Sequence, residues 1–309
     1  MKKPNHDLTL RVGYVSEKQI LGKFYQDFSE ALHHFDENYF GDKDEQGIPM
    51  FGFGDDAVYN QIYIVQYGLI SHDLILEGVD VPENTARLEK CIVWLAENEE
   101  RLNDSLIWRN HFPNARYGLE TGWMSGMYQG QAISLLLRYG QLVNQEEKYS
   151  EKSLDAFRFF HFTYEDGGVK RYDSEGNFWL EEYPGKEPSF VLNGFVYAFF
   201  GIYDLWRVSK DKAVEKMMND CISTMINSLP KYDSGFWSVY DQQKKELATK
   251  YYHKNIHIPL VEIMFLITKE PIFEHYKKRW TRQLNSKISN IFVRVMYRVQ
   301  PRLRRFRKK

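Results

Sequence analysis

A chain of 309 residues with 43% hydrophobic and 16% aromatic side chains has enough apolar material for one large core, which excludes a disordered protein, and its two cysteines, Cys91 and Cys221, exclude a disulfide framework. The formal net charge of −1 hides a division: thirteen of the 41 Lys/Arg residues lie from Lys277 onward, where no Asp or Glu occurs, so the preceding body carries 28 basic against 42 acidic residues, a balance of −14. That body excludes a nucleic-acid binder that is basic throughout, and only the tail is suited to phosphate groups.

The start, MKKPNHDLTLRVGYV, lacks the apolar run of a secretory signal, and no segment approaches the roughly 20 apolar residues of a membrane span. A cytoplasmic protein is therefore expected. Residues 1–50 read as an N-terminal extension, with an amphipathic helix near 18–35 and an acidic loop over 36–46. Apolar residues then recur at helical spacing over 57–71, over 84–98 behind the start signal Pro82, and over 123–143, 151–162, 189–208, 211–229, 256–267 and 271–280. Strand-like material is scarce and short, mainly 168–172 and 236–240. The helices at 123–137 and 191–205 are apolar on most faces, which suits an inner layer walled by outer helices. With no clean internal repeat, the expected fold is mainly α, a helical array or closed ring of helical hairpins with a few short strands in loops. Residues 51–280 form its domain, and residues 281–309 a basic amphipathic tail.

Four segments combine aromatic and polar groups where helices meet turns. In TGWMSGMYQGQAISLLLRYG, Gly122, Gly126 and Gly130 recur every fourth residue and allow close approach of a backbone or a ligand, while Trp123, Gln129 and Gln131 offer groups suited to sugars or to ordinary packing. In EEYPGKEPSFVLNGFVYAFF, Glu182 and Tyr183 precede Pro184 outside the following helix, as an acid–base unit or as a cap, and Asn193 and Tyr197 follow on that helix. The loop LPKYDSGFWSVYDQQ carries Tyr240. The segment ATKYYHKNIHIPL carries Tyr252, His253 and His257; the two histidines share a helical face, but a third metal ligand is missing, so no metal is expected.

These segments, in this order, resemble the motif set of the D-glucuronyl C5-epimerase C-terminal domain, and YNQIYIVQYGLISHDL resembles its opening, so the similarity covers residues 59–280. The resemblance implies an (α/α) barrel or toroid with a substrate cleft at one end, no cofactor, and a uronate-containing polysaccharide or lipid-linked oligosaccharide as substrate. It implies catalytic roles for Glu182, Tyr183, Tyr240 and Tyr252, and substrate contacts for Asn193, Tyr197 and His253, with Gln129 and Trp123 beside them. Inverting C5 of a glucuronate to an iduronate removes a carbon-bound proton beside a carboxylate and returns one on the other face, so two acid–base groups must flank the ring. Glu182 and Tyr252 are assigned to the two faces, and Tyr183 and Tyr240 to the carboxylate. The family's arginine three residues past the tyrosine of its YD motif is replaced by Gln243, and the acidic body is awkward for a densely sulfated polyanion. A polysaccharide lyase and a non-catalytic glycan-binding protein of surface polysaccharide assembly are the alternatives. In the tail, Ile288, Ile291, Phe292, Val295, Met296 and Val299 recur at helical spacing with Arg294 and Arg298 on another face, which makes an anionic membrane surface a candidate partner for residues 282–309 and the inner face of the membrane a candidate location, the alternative being a solvated, disordered tail. A homodimer is a further candidate assembly.

Overall fold

The computed structural model of the chain describes residues 8–307, with side chains through Gln300. The first seven residues of the N-terminal reading and the polybasic side chains from Arg302 to Lys309 lie outside the described set.

Capping chemistry fixes the helices where the hydrophobic period places them. Asn60 accepts a hydrogen bond from the Ile62 amide to open α2 (Gln61–Glu77), and Gly78, at φ 75°, closes it. Pro82 lies in the first turn of α3 (Val81–Glu97). Ser125 caps α4 (Gly126–Leu142) through the Tyr128 amide, and α5 is Glu146–Arg158. The left-handed Lys210 ends α6 (Leu192–Ser209), and Asp211 then accepts from the Ala213 and Val214 amides to open α7 (Lys212–Ser228). A π-helical turn, Tyr252–His257, leads into α8 (Ile258–Thr268), followed by α9 (Pro271–Asn285) and α10 (Lys287–Arg307). α1 is Ser29–Asp36.

Consecutive helices pair as hairpins: α2 with α3, α4 with α5, α6 with α7 and α8 with α9. Within each pair the first helix lies inside. α6 buries all but three of its 18 residues, whereas α9 buries only Phe273, Trp280 and Gln283. α2 packs on α4 and α4 on α6, where a Cβ on Gly201 would collide with the Gly130 carbonyl. The spacing of Gly126 and Gly130 therefore serves backbone contact: Gly130 meets Ala198, and Gly126 meets the Leu180–Glu181 segment. The structure is mainly helical, as expected. Among the described residues the strands form three short antiparallel pairs, β1 (Arg11–Val12) with β2 (Gln26–Asp27), β3 (Glu100–Leu102) with β4 (Ser105–Ile107), and β5 (Lys170–Tyr172) with β6 (Phe178–Leu180). Residues 236–240, read as strand-like, make only isolated bridges within a loop.

The N-terminal residues differ from their sequence reading in two ways. The helix expected over 18–35 is confined to Ser29–Asp36, because the preceding backbone is held by distant arginines. Arg207 donates to the carbonyls of Lys18, Ile20 and Leu21, and Arg138 to that of Gly22. Residues 8–50 are also no appendage: Leu21, Phe24, Tyr25, Phe28 and Phe35 are buried in the main core. β1 and β2 lie against α8, and α1 lies against α2, so this segment bridges the last hairpin and the first. Its anchor is a fully buried cluster at the C-terminal end of α6, in which Asp204 accepts hydrogen bonds from Tyr25 (2.5 Å), Ser134 (2.6 Å), Arg138 and Arg207 (3.3 Å).

Candidate active site

The inner helices present their N-termini at one end of the core. Asn60 and Ser125, the caps of α2 and α4, line a cavity of about 340 Å³ together with Phe51, Asn110, Asn114, Trp123, Glu182 and Tyr183. Glu182 and Tyr183 follow β6 in the turn segment that leads to α6, and Tyr252 opens the π-helical turn before α8. Helix N-termini carry partial positive charge and unpaired amides, so this end of the domain favours an anion.

The turn carrying Glu182 is built by its neighbour. Glu181 is buried and accepts from the amides of Ser189 (3.0 Å) and Phe190 (3.1 Å) and from the Ser189 hydroxyl. These bonds hold Phe190 at φ 45°, a conformation costly for a bulky side chain, and Tyr232 donates to the Phe190 carbonyl. Glu182 points the other way. Its Oε2 accepts from Asn193 Nδ2 at 3.1 Å and its carboxylate also bonds the Tyr183 hydroxyl. Gly194 leaves the space it occupies, since a Cβ there would collide with the Glu182 side chain. Burial pushes the Glu182 carboxyl up to about 7, with the Tyr183 and Asn193 hydrogen bonds opposing the rise. Glu181 is likewise raised to about 7 by burial.

Tyr240 and Tyr252 meet edge to face, with ring centroids 4.8 Å apart and a hydrogen bond between their hydroxyls. Burial and the nearby Glu182 carboxylate raise the phenols of Tyr183, Tyr240 and Tyr252 well above the usual value, so all three are protonated at neutral pH. Trp123 stands 5.7 Å from Tyr183 and donates its indole N–H to the Phe112 carbonyl. The residues brought together are thus Glu182, Tyr183, Tyr240 and Tyr252, with Asn193 behind Glu182 and Trp123 at the wall.

Other residues picked from the sequence lie elsewhere. His253 is fully buried, stacked on Trp237 at 3.7 Å, and its two ring nitrogens face the Ser238 hydroxyl (2.7 Å) and the Trp280 carbonyl (3.2 Å). His257 reaches the same Ser238 hydroxyl at 2.9 Å. Burial lowers both histidines, to about 4 and about 3, so they are neutral core residues bridged by a serine. Among the described residues, no group of three or more His, Cys, Asp or Glu is placed to hold a metal. Gln129 ties α4 to the carbonyls of Leu106 (2.7 Å) and Ala156 (2.9 Å), and buried Tyr197 donates to Gln26, which donates in turn to the Asn255 carbonyl at 2.6 Å. Both act inside the core.

Two neighbours of the site were not picked from the sequence. Tyr117 stacks on Tyr183 at 4.4 Å and donates to buried Asp241 at 2.9 Å. Arg116 lies over both the Tyr117 and Tyr240 rings, with its guanidinium carbon 5.5 and 5.8 Å from their centroids, and pairs with Glu246 at 3.2 Å. They sit in a loop without helical or alternating period, and only the run of aromatic, Pro and Gly residues in HFPNARYG signals it. A second cavity, of about 450 Å³, lies between α7 and the β5–β6 hairpin, beside Tyr172, Lys216 and Asp220, and contains none of the acid–base groups.

The family model described as D-glucuronyl C5-epimerase C-terminus matches residues 103–282, from the β3–β4 turn to the end of α9. The chain is 30% identical over 205 residues to the D-glucuronyl C5-epimerase of Caenorhabditis elegans, a match covering 60% of this chain and 33% of that protein. It is 27% identical over 191 residues to Uncharacterized protein MJ1128 of Methanocaldococcus jannaschii, covering 60% of each. The chain thus spans about a third and three fifths of the length of these two relatives. With more than half of the chain matched, the protein belongs to the D-glucuronyl C5-epimerase C-terminal family.

Proposed function

We propose that the protein is a uronosyl C5-epimerase that converts D-glucuronate to L-iduronate within a polysaccharide or a lipid-linked glycan. The observation that carries this reading is the gathering of one carboxylate and three tyrosines, Glu182, Tyr183, Tyr240 and Tyr252, at an end of the core where helix N-termini favour a carboxylate. Glu182, with a value near 7, is ionised in a large fraction of molecules at neutral pH and serves as the base that takes the C5 proton. Tyr252, held protonated, serves as the acid that returns one to the opposite face. Tyr183 and Tyr240 donate to the substrate carboxylate as its enediolate develops. The −14 charge of the body favours a polymer of low sulfation.

Conversion of an unsulfated glucuronate polymer, with iduronate read by NMR, tests the assignment. A polysaccharide lyase would begin with the same abstraction but expel the group at C4, and the ultraviolet absorbance of an unsaturated uronate distinguishes the two. A non-catalytic glycan-binding protein would bind oligosaccharide and leave its uronates unchanged.

The base assignment fixes the direction of the pH dependence. Because Glu182 must be ionised, turnover in the glucuronate-to-iduronate direction should rise with pH through an apparent value of about 7 and then level. A rate that falls through that range would make protonated Glu182 the active form.

Arg116 supplies the cation that Gln243 does not, beside the Tyr240 ring. Arg116→Gln is expected to raise KM about tenfold with kcat within about twofold, because a guanidinium remote from C5 binds ground state and transition state alike. An unchanged KM would remove Arg116 from substrate recognition.

A further inference from the structure

The proposed reaction makes no use of α10. This helix rests on the domain by one face: Val293 is buried with Trp237 and Leu247, Met296 and Tyr297 pack beside it, and Tyr297 donates to the Ala248 carbonyl at 2.5 Å. The apolar positions of the tail, which the sequence places on one amphipathic face, therefore divide. Met296 turns inward, while Ile288, Ile291, Phe292 and Val295 stand 71, 61, 55 and 50% exposed. Their spacing of three and four residues lines them up as one stripe along the helix. Single exposed apolar side chains are ordinary, but a continuous stripe of four marks a surface that meets something.

The charge beside the stripe says what. Lys287, Arg294 and Arg298 are exposed, and at about 100° per residue all three fall along one edge, roughly a quarter turn from Ile288. On α9 three of the four Lys and Arg residues are in ion pairs, Lys277 with Glu262, Lys278 with Glu274 and Arg279 with Asp233, while Arg282 donates to the Lys278 carbonyl. Among the described residues, no ion pair engages the three on α10. Beyond them the sequence adds Arg302, Arg304, Arg305, Arg307, Lys308 and Lys309 without one acidic residue.

We propose that α10 docks the protein on an anionic phospholipid surface, with the Ile288–Val295 stripe at the boundary of headgroups and acyl chains and the basic edge among lipid phosphates. Nucleic acid would satisfy the charge but leave the stripe in water. A second copy packed stripe to stripe would bring two acid-free basic edges together. The helix lies on the bilayer, since no described helix is long and apolar enough to cross one.

Flotation of the full chain with vesicles of phosphatidylcholine, alone or mixed with phosphatidylglycerol, tests the proposal. Binding is expected only with the anionic lipid and should weaken at least tenfold from ~0.05 M to ~0.5 M salt. Arg294→Gln and Arg298→Gln should each weaken it about fivefold. The double variant Ile291→Glu, Val295→Glu should lose at least tenfold while keeping the parent's circular dichroism spectrum and melting midpoint, because both side chains are exposed. Absence of flotation with anionic vesicles at low salt would overturn the proposal, as would flotation unchanged in the double variant. A concentration-dependent dimer abolished by the same variant, without vesicle binding, would assign the stripe to a second copy instead.

Discussion

The Glu182→Gln variant is expected to fold like the parent and to lose about a thousandfold in turnover. Gln is nearly isosteric, so it keeps the space that Gly194 leaves and can still meet Tyr183 and Asn193. It cannot hold the abstracted proton. The loss should fall on kcat with little change in KM, because only the proton-transfer step uses the carboxylate. Glu181→Gln provides the contrast. Glu181 faces the backbone amides of Ser189 and Phe190 and no part of the cleft, so its replacement should loosen the turn before α6 and lower stability, with a smaller effect on turnover per folded molecule. If the two variants lost turnover equally, the division of labour between the adjacent glutamates would be wrong.

The largest effect on stability is expected far from the cleft. Asp204→Ala should cost about 4 kcal/mol in denaturant unfolding, because it leaves Arg138 and Arg207, both fully buried, without their shared carboxylate. The same change strands the Tyr25 and Ser134 hydroxyls and frees the carbonyl-bound segment 18–25. Asp204 lies at the other end of α6 from Asn193, eleven residues or roughly 16 Å along the helix, so protein that remains folded should retain its turnover. A loss below about 1 kcal/mol would show that water or rearranged carbonyls replace the carboxylate.

This contrast also shows what could be read from the sequence. The helices were legible because α4 and α6 are apolar on most faces and the outer α7 and α9 on one, and because Pro82 marks the start of α3. The EEYP turn and the two tyrosines were legible as motifs, though which glutamate caps and which faces the cleft is decided by Ser189 and Asn193, eight and eleven residues on. The role of residues 18–27 was not legible. Their conformation depends on Arg138 and Arg207, more than 100 residues away, and local periodicity reads an amphipathic helix where the chain is a strap. Tyr117 was missed for the same reason, since its partner Asp241 lies 124 residues along the chain. His253 and His257 share a helical face and invite a ligand, but Ser238 takes both.

Solvent deuterium at C5 tests the central claim most directly. An unsulfated glucuronate polymer incubated with the protein in deuterated water should gain deuterium at C5 of its uronates, in both the glucuronate and the iduronate products, with no unsaturated uronate formed. Tyr252→Phe should cut that incorporation at least a hundredfold. Undiminished exchange by Tyr252→Phe, or no exchange by the parent with any glucuronate polymer it binds, would contradict a cleft in which Glu182 and Tyr252 work opposite faces of the sugar.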